Sequence, residues 1–450
     1  MNDDERKTIS YWWTTRDYTP NPPVEGEVEV DVAVIGGGYT GLSTAFHLRQ
    51  ADPSLDVLVL EQETVGFGAS GRNAGFGMTL FGLTLAMTKL LHGRDAAVAA
   101  HHYMEKSVDY LWQMIQEHDL DCDAERSGFL RAATTPKYAK RIQHEVELAQ
   151  KLGLEGIEWI DAAAMRSRAD SKHFLGAWWE PRCVLLNPAK LAWELKRIAE
   201  AAGARIAEET PVSEIKREKK GGHYVITTPA GTVRARKIAI ATNAFQTHFG
   251  GMQRKQIPVY TDIVLSEPLG DKLHQIGWKG REGIEDARNL IHYFRLTADD
   301  RLLMGGGNVR LSYGSNISPE RDRDQNAAAH LQNFARQLFP VLEDVEFTHN
   351  WGGPVSVTVD MCPALGYVGK DKSAVYSYGC IGHGVSMTQY NGWALADLLL
   401  EKETERTEPF FVNGWTPPWP VEPFRMVLAA GIRGALSIED SVHERGRLEY

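Results

Sequence analysis

Three glycines in the segment VIGGGYTGLSTA, namely Gly36, Gly38 and Gly41, follow the spacing G-x-G-x-x-G. Glycine at these positions allows a tight turn, a close approach of a pyrophosphate to the backbone, and close packing of the next helix. The N-terminus of that helix offers unpaired amide donors and the positive end of a dipole. Glu61 follows 20 residues after Gly41, and a carboxylate there accepts hydrogen bonds from ribose hydroxyls. The pattern therefore predicts a dinucleotide site.

The loop after Glu61, VGFGASGRNAGF, consists mainly of small residues and includes Ser70, Arg72 and Asn73. Small residues let backbone amides approach a flat ring system and its phosphates. The chain has only one dinucleotide fingerprint, because the later glycine run MGGGN lacks the pattern. A flavoprotein that is reduced by a pyridine nucleotide needs a second such site. The sequence therefore favours a single dinucleotide that stays bound.

A strand, a helix and a second strand must position these groups. VEVDVAVIGGG predicts a buried strand that runs into the glycines, YTGLSTAFHLRQ a helix, and DVLVLE the second strand. Such a βαβ unit requires a parallel sheet covered by helices. Residues 257–312 are rich in predicted strands, and helical patterns fill 83–118, 137–152 and 323–339. This interleaving indicates two discontinuous domains.

Composition limits the class of partner. The chain has 49 Lys and Arg residues against 59 Asp and Glu residues, a formal net charge of −10, which argues against a nucleic-acid partner. Its four cysteines form no CxxC pair, as is typical of a reduced protein, so we expect a cytoplasmic location. No apolar run is long enough to span a bilayer, and no signal peptide is predicted. No metal site is predicted.

Several segments, taken together, resemble one family. VIGGGYTGLSTAFHL, Glu61, GASGRNAG, IAIATNAF and GCIGHGVSMTQYNGWALADLL are similar, in order and spacing, to the D-amino-acid oxidase, glycine oxidase and sarcosine oxidase group of FAD enzymes. SYWWTTR, GFGASGRNAG and GHGVSMT look most like its gamma-glutamylputrescine oxidase branch. The resemblance covers roughly residues 8–400.

The resemblance implies an α/β fold. A Rossmann-type, glutathione-reductase-like FAD-binding domain is expected to accompany a discontinuous α+β substrate domain built on an antiparallel sheet. We predict the following ranges: 28–85, 150–250 and 345–405 for the FAD-binding domain, 86–149 and 251–344 for the substrate domain, 1–27 for an N-terminal arm, and 406–450 for a C-terminal helical tail.

The resemblance also implies FAD in an extended pose, with its pyrophosphate at Gly36–Gly41 and its ribose at Glu61. Val212 matches the position that reaches the adenine through its backbone. Gly382, His383 and Gly384 match the segment near the isoalloxazine, at a helix start whose dipole favours negative charge on the reduced ring. The predicted cofactor-binding residues are Gly36, Gly38, Tyr39, Thr40, Gly41, Glu61, Gln62, Gly68, Ala69, Ser70, Arg72, Asn73, Ala74, Gly75, Val212, Ala241, Thr242, Gly382, His383, Gly384, Val385 and Ser386.

Covalent attachment of the flavin occurs in parts of this family. One branch uses a His where this chain has Asn73. Another uses a Cys shortly before a T-x-D motif, where this chain has Pro354, Val355 and Ser356, and Cys362 lies on the far side of that motif. We therefore expect the FAD to be bound non-covalently.

The stretch WGGPVSVTVD departs from the family where a cation is expected. Glycine oxidase-like enzymes have Trp-x-Gly-x-Arg-Pro-x-Thr-x-Asp, and their Arg grips the α-carboxylate of the substrate. Val355 stands at the Arg position, and Val385 stands where such enzymes place a second Arg. Burying an α-carboxylate without a partner costs several kcal/mol. The sequence therefore predicts an amine substrate that has no carboxylate on the reacting carbon.

Aromatic side chains suit a cationic amine. The aromatic candidates for the substrate site are Phe76, Tyr260, Tyr293, Trp351 and Tyr390, with Trp12 or Trp13 as a lid. Among all candidates, His383, Tyr293 and Trp351 are predicted to line the catalytic site. Arg295 is a candidate for contact with a distal carboxylate such as a gamma-glutamyl group carries.

The predicted reaction is hydride transfer from the carbon next to nitrogen to the flavin, giving an imine and then an aldehyde. The electron acceptor is either dioxygen or a quinone or electron-transfer protein. Some relatives activate dioxygen through a Lys on the strand before GGG, and YFRLTADDRLLMGGG has no Lys. An α-amino acid oxidase or dehydrogenase and a non-catalytic flavin-binding protein are the alternatives. The oligomeric state is left open.

Overall fold

The computed structural model describes residues 3–218, 222–245 and 249–444. The outermost residues of the predicted N-terminal arm and C-terminal tail, 1–2 and 445–450, lie outside the described residues. Within the described ranges the chain forms two large sheets and one small one, with helices packed around them. No helix of the described residues is both long enough and apolar enough to cross a bilayer.

The strands of the described residues, in chain order, are β1 (Gly26–Ile35), β2 (Val57–Leu60), β3 (Phe76–Met78), β4 (Phe129–Ala132), β5 (Glu158–Asp161), β6 (Gly176–Glu180), β7 (Cys183–Leu185), β8 (Arg205–Ala207), β9 (Glu214–Arg217), β10 (Tyr224–Thr227), β11 (Gly231–Ile240), β12 (Ile257–Pro268), β13 (Gly283–Asp286), β14 (His292–Leu296), β15 (Arg301–Gly306), β16 (Arg310–Leu311), β17 (Phe347–Val357), β18 (Ala364–Tyr367) and β19 (Ala374–Tyr378).

The α-helices of the described residues are α1 (Asp3–Lys7), α2 (Tyr39–Ala51), α3 (Leu85–His92), α4 (Arg94–Glu117), α5 (Pro136–Leu152), α6 (Ala162–Arg168), α7 (Pro188–Ala201), α8 (Lys272–Ile276), α9 (Gln325–Leu338), α10 (Gly384–Leu399) and α11 (Phe424–Glu444).

The first sheet has the strand order β18-β19-β11-β1-β2-β8, and the hairpin β9–β10 pairs with β11. Strand β1 lies parallel to both β11 and β2, and Ile35 is level with Ile240 on one side and Leu60 on the other. The three strands are buried at this end, as a sheet covered on both faces requires. Their carboxyl ends therefore meet at one edge, where Gly36, Glu61 and Ala241 follow.

The second sheet has the order β16-β12-β15-β14-β13-β4-β6-β5, and β17 pairs with β12. Its pairings are antiparallel except for β13 with β4. One face, which carries Phe129 and Trp178, packs in the same core as the first sheet, and the other packs against α9. The predicted fold, a Rossmann-type domain beside an antiparallel-sheet domain, is confirmed.

Three strands that the predicted ranges assign to the FAD-binding domain belong to the second sheet. Strands β5 and β6 fall within 150–250, and β17 falls within 345–405, yet all three pair in the second sheet. Local hydrophobic patterns identify a strand but carry no information about which distant strand it pairs with. The predicted boundaries are therefore corrected at 158–180 and 347–357.

The two ends of the chain are held differently. Trp12 and Trp13 are each only 2% exposed, so the arm is inserted into the core rather than laid on the surface. Helix α11 instead buries two carboxylates: Asp440 accepts from the Tyr138 hydroxyl at 2.8 Å, and Glu444 from the Thr134 hydroxyl at 2.8 Å. Its exposed apolar side chains are Phe424, Val427, Leu428, Ile432, Ile438 and Val442.

Candidate functional site

A cavity of about 610 Å³ opens at the carboxyl ends of β1, β2 and β11. This size falls within the range of small-molecule and cofactor sites. The predicted cofactor residues that line it are Gly36, Gly38, Tyr39, Thr40, Glu61, Gln62, Gly68, Ala69, Ser70, Val212, Ala241 and Thr242. The parallel strands thus bring together residues that are more than 200 positions apart in the sequence.

The glycine turn has no room for side chains. Gly36 has a φ of +107°, and a Cβ added to it would lie 2.6 Å from the Ala241 carbonyl oxygen. A Cβ on Gly41 would lie 1.9 Å from the Gly36 carbonyl oxygen. Helix α2 begins directly after Gly38, so its first amide groups lie beside the cavity. This arrangement can hold a pyrophosphate against the backbone.

Glu61 follows β2 and is anchored by backbone amides. Its Oε2 accepts a hydrogen bond from Gly37 N at 2.6 Å, and its Oε1 accepts from Glu63 N at 3.1 Å. Burial raises the pKa of this carboxyl to about 7 in spite of the two bonds. Each carboxylate oxygen keeps a further lone pair for a ribose hydroxyl.

The small-residue loop is fixed by its own polar side chains. Ser70 Oγ accepts from Tyr39 N at 3.1 Å, and Asn73 Nδ2 donates to the Ala69 carbonyl at 3.0 Å. The guanidinium of Arg72 lies 4.8 Å from the Phe67 ring centroid and pairs with Asp322. Among the predicted cofactor residues, Gly41, Arg72, Asn73, Ala74 and Gly75 do not line the cavity. The bonds of Arg72 and Asn73 shape its wall.

The geometry fits FAD. A side-chain-free turn at a helix start suits the pyrophosphate, an anchored carboxylate suits the ribose, and the Val212 segment closes the adenine end. Sequence reasoning missed Asn243, Phe245, Pro354 and Thr388, which also line the cavity. The first two directly follow β11 and could have been found from that position. Pro354 and Thr388 lie in the quoted segments WGGPVSVTVD and GHGVSMT, but nothing in either segment distinguishes them from their neighbours.

The GHG segment lies where α10 begins. Gly382 has a φ of +84°, and His383 precedes the first helical residue, Gly384. Burial lowers the pKa of His383 to about 4, so the imidazole is neutral at neutral pH. Its Nδ1 is buried and has no hydrogen-bond partner among the described residues. Gly382 through Ser386 do not line the cavity, although Thr388, one turn further along, does.

A row of side chains on the second sheet faces Phe76, which begins β3 and ends the small-residue segment 65–76, called the cavity loop below. Arg131, Glu285 and Tyr293 are neighbours in register across β4, β13 and β14. The Tyr293 ring lies edge-on to Phe76, with 6.0 Å between ring centroids. Arg131 Nε donates to Glu285 Oε1 at 2.6 Å. The row therefore combines an aromatic pair with an ion pair.

The other aromatic candidates are occupied elsewhere. Trp351 is 1% exposed, and its indole donates to the Arg72 carbonyl at 2.7 Å. Tyr390 donates to Glu405 at 3.0 Å, and Tyr260 accepts from Ser318 N at 3.3 Å. None of the five aromatic candidates lines the cavity. Of the five aromatic candidates, Phe76 and Tyr293 are the two that the structure places against each other.

Arg295 and the N-terminal arm hold the cavity loop from behind. Arg295 is 2% exposed, and its Nη1 donates to the carbonyls of Gly75 and Leu186 at 3.2 and 2.8 Å. Its guanidinium lies 5.9 Å from the Trp12 ring, and the Trp12 indole donates to the Asn73 carbonyl at 2.9 Å. Burial lowers the pKa of Arg295 to about 10. Trp12 is thus packed in the core, as is Trp13.

Cationic side chains are absent from the lining of this cavity among the residues that the structure describes. Val385 is buried and Val355 is half-buried, and both belong to the main apolar core. The four cysteines are buried and unpaired. Within the described ranges, no group of three or more His, Cys, Asp and Glu side chains could hold a metal ion.

Comparisons with known proteins agree with this geometry. The sequence model of the DAO family, described as FAD dependent oxidoreductase, matches residues 31–398. Gamma-glutamylputrescine oxidoreductase of Escherichia coli (strain K12) is 30% identical over 406 residues, which cover 90% of this chain and 91% of that protein. Glycine oxidase of Geobacillus kaustophilus is 25% identical over 383 residues, which cover 83% of this chain and 94% of that protein.

The crystal structure of the Geobacillus kaustophilus glycine oxidase superposes with a TM-score of 0.70 at 22% identity, covering 84% of this chain and 96% of that chain. The predicted family, the predicted cofactor FAD and the predicted oxidoreductase activity on amine C–N bonds are confirmed. This chain belongs to the DAO family of FAD-dependent oxidoreductases.

Proposed function

We propose that this enzyme oxidises the C–N bond of a small amine that has no carboxylate on the reacting carbon. A gamma-glutamylputrescine-like amine is the preferred class, ahead of polyamines and other primary or secondary amines. The similarity to gamma-glutamylputrescine oxidoreductase supports this class, and the similarity to glycine oxidase supports the reaction type. FAD is expected to be bound non-covalently.

The observation that carries the proposal is the apolar character of the two positions where an amino-acid oxidase needs arginine. Val355 lies on β17 and Val385 in the first turn of α10, and both pack in the main core. Two nearby guanidinium groups are already engaged, Arg72 by Asp322 and Arg295 by backbone carbonyls, and a third, Arg131, is paired through its Nε with Glu285 on the second sheet. An α-carboxylate placed among these valines would be desolvated without a partner.

Bound FAD would supply the hydride acceptor for the carbon next to nitrogen, and water would hydrolyse the resulting imine to an aldehyde and an amine or ammonia. The protein orients the substrate and excludes water around it. The amine must be neutral to release hydride, and an apolar wall around Phe76 and Tyr293 favours the neutral form. His383 is neutral because burial lowers its pKa to about 4, and it adds no charge at neutral pH.

His383 and Tyr293 are proposed to line the substrate site, and Trp351 is proposed to support it through its bond to the Arg72 carbonyl. Burial raises the pKa of Tyr293 well above its ordinary value, so the phenol stays protonated and can donate but not act as a base. The electron acceptor is proposed to be dioxygen or a quinone or electron-transfer protein. The second class is kept because β14 and β15 contain no Lys of the kind that activates dioxygen in some relatives.

Anaerobic bleaching of the flavin tests the substrate class. The FAD-loaded enzyme is mixed with gamma-glutamylputrescine, putrescine, a methylamine, glycine, sarcosine and D-alanine, and the flavin absorbance is followed. We expect gamma-glutamylputrescine, putrescine and the methylamine to reduce the flavin, and the three amino acids to leave it oxidised. Faster reduction by an amino acid would support the α-amino acid oxidase alternative, and no reduction by any compound would support a non-catalytic flavin-binding protein. Acid precipitation tests the attachment: the yellow colour should remain in the supernatant.

A further inference from the structure

The ion pair of Arg131 and Glu285 lies on the sheet face that fronts the cavity loop, and it is only partly satisfied. Glu285 is fully buried, and its Oε1 accepts from Arg131 Nε at 2.6 Å. Its Oε2 is buried and has no hydrogen-bond partner among the described residues. A buried carboxylate oxygen without a donor is unfavourable, so this atom is a candidate for contact with a ligand.

Arg131 also has unused donors. The Nε bond to Glu285 is the one contact of its guanidinium that we find in the described part of the chain, and 22% of its side chain is exposed. The two Nη groups therefore form an open fork of the kind that binds a carboxylate in a bidentate pair. The pair thus offers an acceptor and a donor fork side by side.

The position of the pair relates it to the proposed reaction site. Glu285 is level with Tyr293 in the register of β13 and β14, and Tyr293 packs on Phe76 of the cavity loop. The charge of Arg131 is close enough to His383 to help lower the pKa of that imidazole. The ion pair therefore lies beside the residues proposed to surround the reacting amine, without belonging to them.

Arg295, the residue expected from the sequence to meet a distal carboxylate, is not available for that role. Its guanidinium is buried behind the cavity loop and donates to the carbonyls of Gly75 and Leu186. Arg131 lies on the same sheet face, and its fork is open. The candidate for contact with a distal carboxylate is therefore Arg131 on β4 instead of Arg295 on β14.

We infer that Arg131 and Glu285 bind a zwitterionic α-amino-acid head group at the end of the substrate remote from the oxidised carbon. The carboxylate of the head group pairs with the Nη fork of Arg131, and its ammonium donates to Glu285 Oε2. The four charges then alternate in sign around a net-neutral cluster, which is the arrangement that offsets the desolvation of each of them. This inference rests on the proposed function, and it names the recognition element for an amine such as a gamma-glutamyl diamine.

The chain contains a matched control pair. Arg168 donates to Glu282 at 2.8 Å, and Glu282 also has a buried Oε2 without a partner among the described residues. Arg168 lies over the Trp179 ring, and Trp179 packs against the core on the far side of the sheet. The two pairs have similar chemistry, but only the Arg131 pair fronts the cavity loop.

Binding without turnover tests the inference. Gamma-L-glutamylbutylamine, the butyl amide at the γ-carboxyl group of glutamate, carries the head group and the butyl chain but has no terminal amine to oxidise. Its affinity for the oxidised, FAD-loaded enzyme is measured from the perturbation of the flavin absorbance and is compared with that of N-butylbutanamide, which lacks the head group. We expect the head group to tighten binding about 100-fold, as two charge-assisted contacts allow.

The variants R131M and E285Q should each lose most of this gain, about 30-fold, and R131K, which keeps the charge but not the fork, should lose about tenfold. R168M and E282Q should change the affinity by less than about threefold. Thermal unfolding and FAD content establish whether each variant is folded. If R131M is not folded, R131K provides the test of Arg131. Wild-type enzyme that binds both amides equally, or a folded R131M or R131K that binds like the wild type, overturns the inference.

The outcome is separate from that of the proposed function, because no amine is oxidised in this measurement. A binding preference that depends on Arg131 would stand even if no amine bleached the flavin. Bleaching by amines, together with binding that ignores Arg131 and Glu285, would retain the proposed function and remove the head-group site.

Discussion

The two large sheets contribute different chemical groups to the site, the first mainly through its backbone and the second through side chains. At the carboxyl ends of the parallel sheet, the cavity depends on close backbone packing at Gly36 and Gly41 and on Glu61, which two backbone amides hold. On the second sheet, the facing surface is made of side chains, including Arg131, Glu285 and Tyr293. The first surface should therefore be damaged by adding a single carbon atom, and the second by changing a charge.

The largest effect is expected from an added methyl group in the backbone wall. Gly41→Ala would place a Cβ 1.9 Å from the Gly36 carbonyl oxygen, so the turn must open. We expect FAD affinity to fall more than about 100-fold and the protein to lose several kcal/mol of stability. Fluorescence titration with FAD and thermal unfolding measure both.

Gly431→Ala is the matched control for that substitution. Gly431 lies inside α11, and nothing lies within 4 Å of an added Cβ. The same chemical change should there stabilise the protein by about 0.5–1 kcal/mol, because alanine is the better helix former. Normal FAD binding by Gly41→Ala would show that the glycine turn can accept a side chain, contrary to this prediction.

A substitution at the contact between the two surfaces should have the next largest effect. Trp12→Ala removes a buried indole that donates to Asn73 of the cavity loop and covers Arg295 of the second sheet. We expect a loss of about 3–5 kcal/mol in the free energy of unfolding and faster dissociation of FAD. Denaturant unfolding and FAD release measure the two. Trp415→Ala is the control, since Trp415 is 78% exposed and should change stability by less than about 0.5 kcal/mol.

The charged group in the backbone wall should give a pH dependence. Burial raises the pKa of Glu61 to about 7 in the FAD-free protein. Ribose hydroxyls that donate to Glu61 favour its ionised form, so FAD binding should release a proton below that pKa. The affinity for FAD should therefore rise with pH up to about 7 and then level off, by at most about tenfold per pH unit. Titration of the apoprotein with FAD from acid to neutral pH measures it.

Glu61→Gln separates this effect from general acid damage. The variant should bind FAD more weakly at neutral pH and should show no such slope. A wild-type affinity that is flat across the same range would mean that the carboxylate does not contact the ribose.

The smallest effect is expected from introducing a cationic side chain at position 355, in the proposed substrate site. Val355→Arg restores the residue type that grips an α-carboxylate in glycine oxidase-like enzymes, and it should tighten glycine binding by about tenfold, as one charged contact allows. Perturbation of the flavin spectrum by glycine measures it. Val357→Arg lies on the same strand but packs against a different cluster, and it should leave glycine binding unchanged. Unchanged binding in Val355→Arg would place position 355 away from the reacting carbon.

Sequence reasoning reached the backbone surface more fully than the side-chain surface. Gly36, Gly41 and Glu61 could be predicted because the turn, the helix start and the acid at the end of the second strand follow one another in one short unit. Arg131 and Glu285 could not, because they are 154 positions apart and meet only through the register of β4 and β13. Arg295 was predicted as a candidate for contact with a distal carboxylate, but its guanidinium is engaged behind the loop by Trp12 and the Leu186 carbonyl, which no local pattern relates to it.

The burial of Trp12 has a consequence for how the chain is made. Its neighbours Asn73 and Trp351 are far apart in the sequence, and the ring centroids of Trp12 and Trp351 lie 6.2 Å apart. Ribosomal synthesis produces Trp12 long before β17, so the packing site of Trp12 is incomplete until β17 has been synthesised. The indole of Trp12 therefore reaches its final packing late in synthesis, and until then it is open to chaperones and proteases.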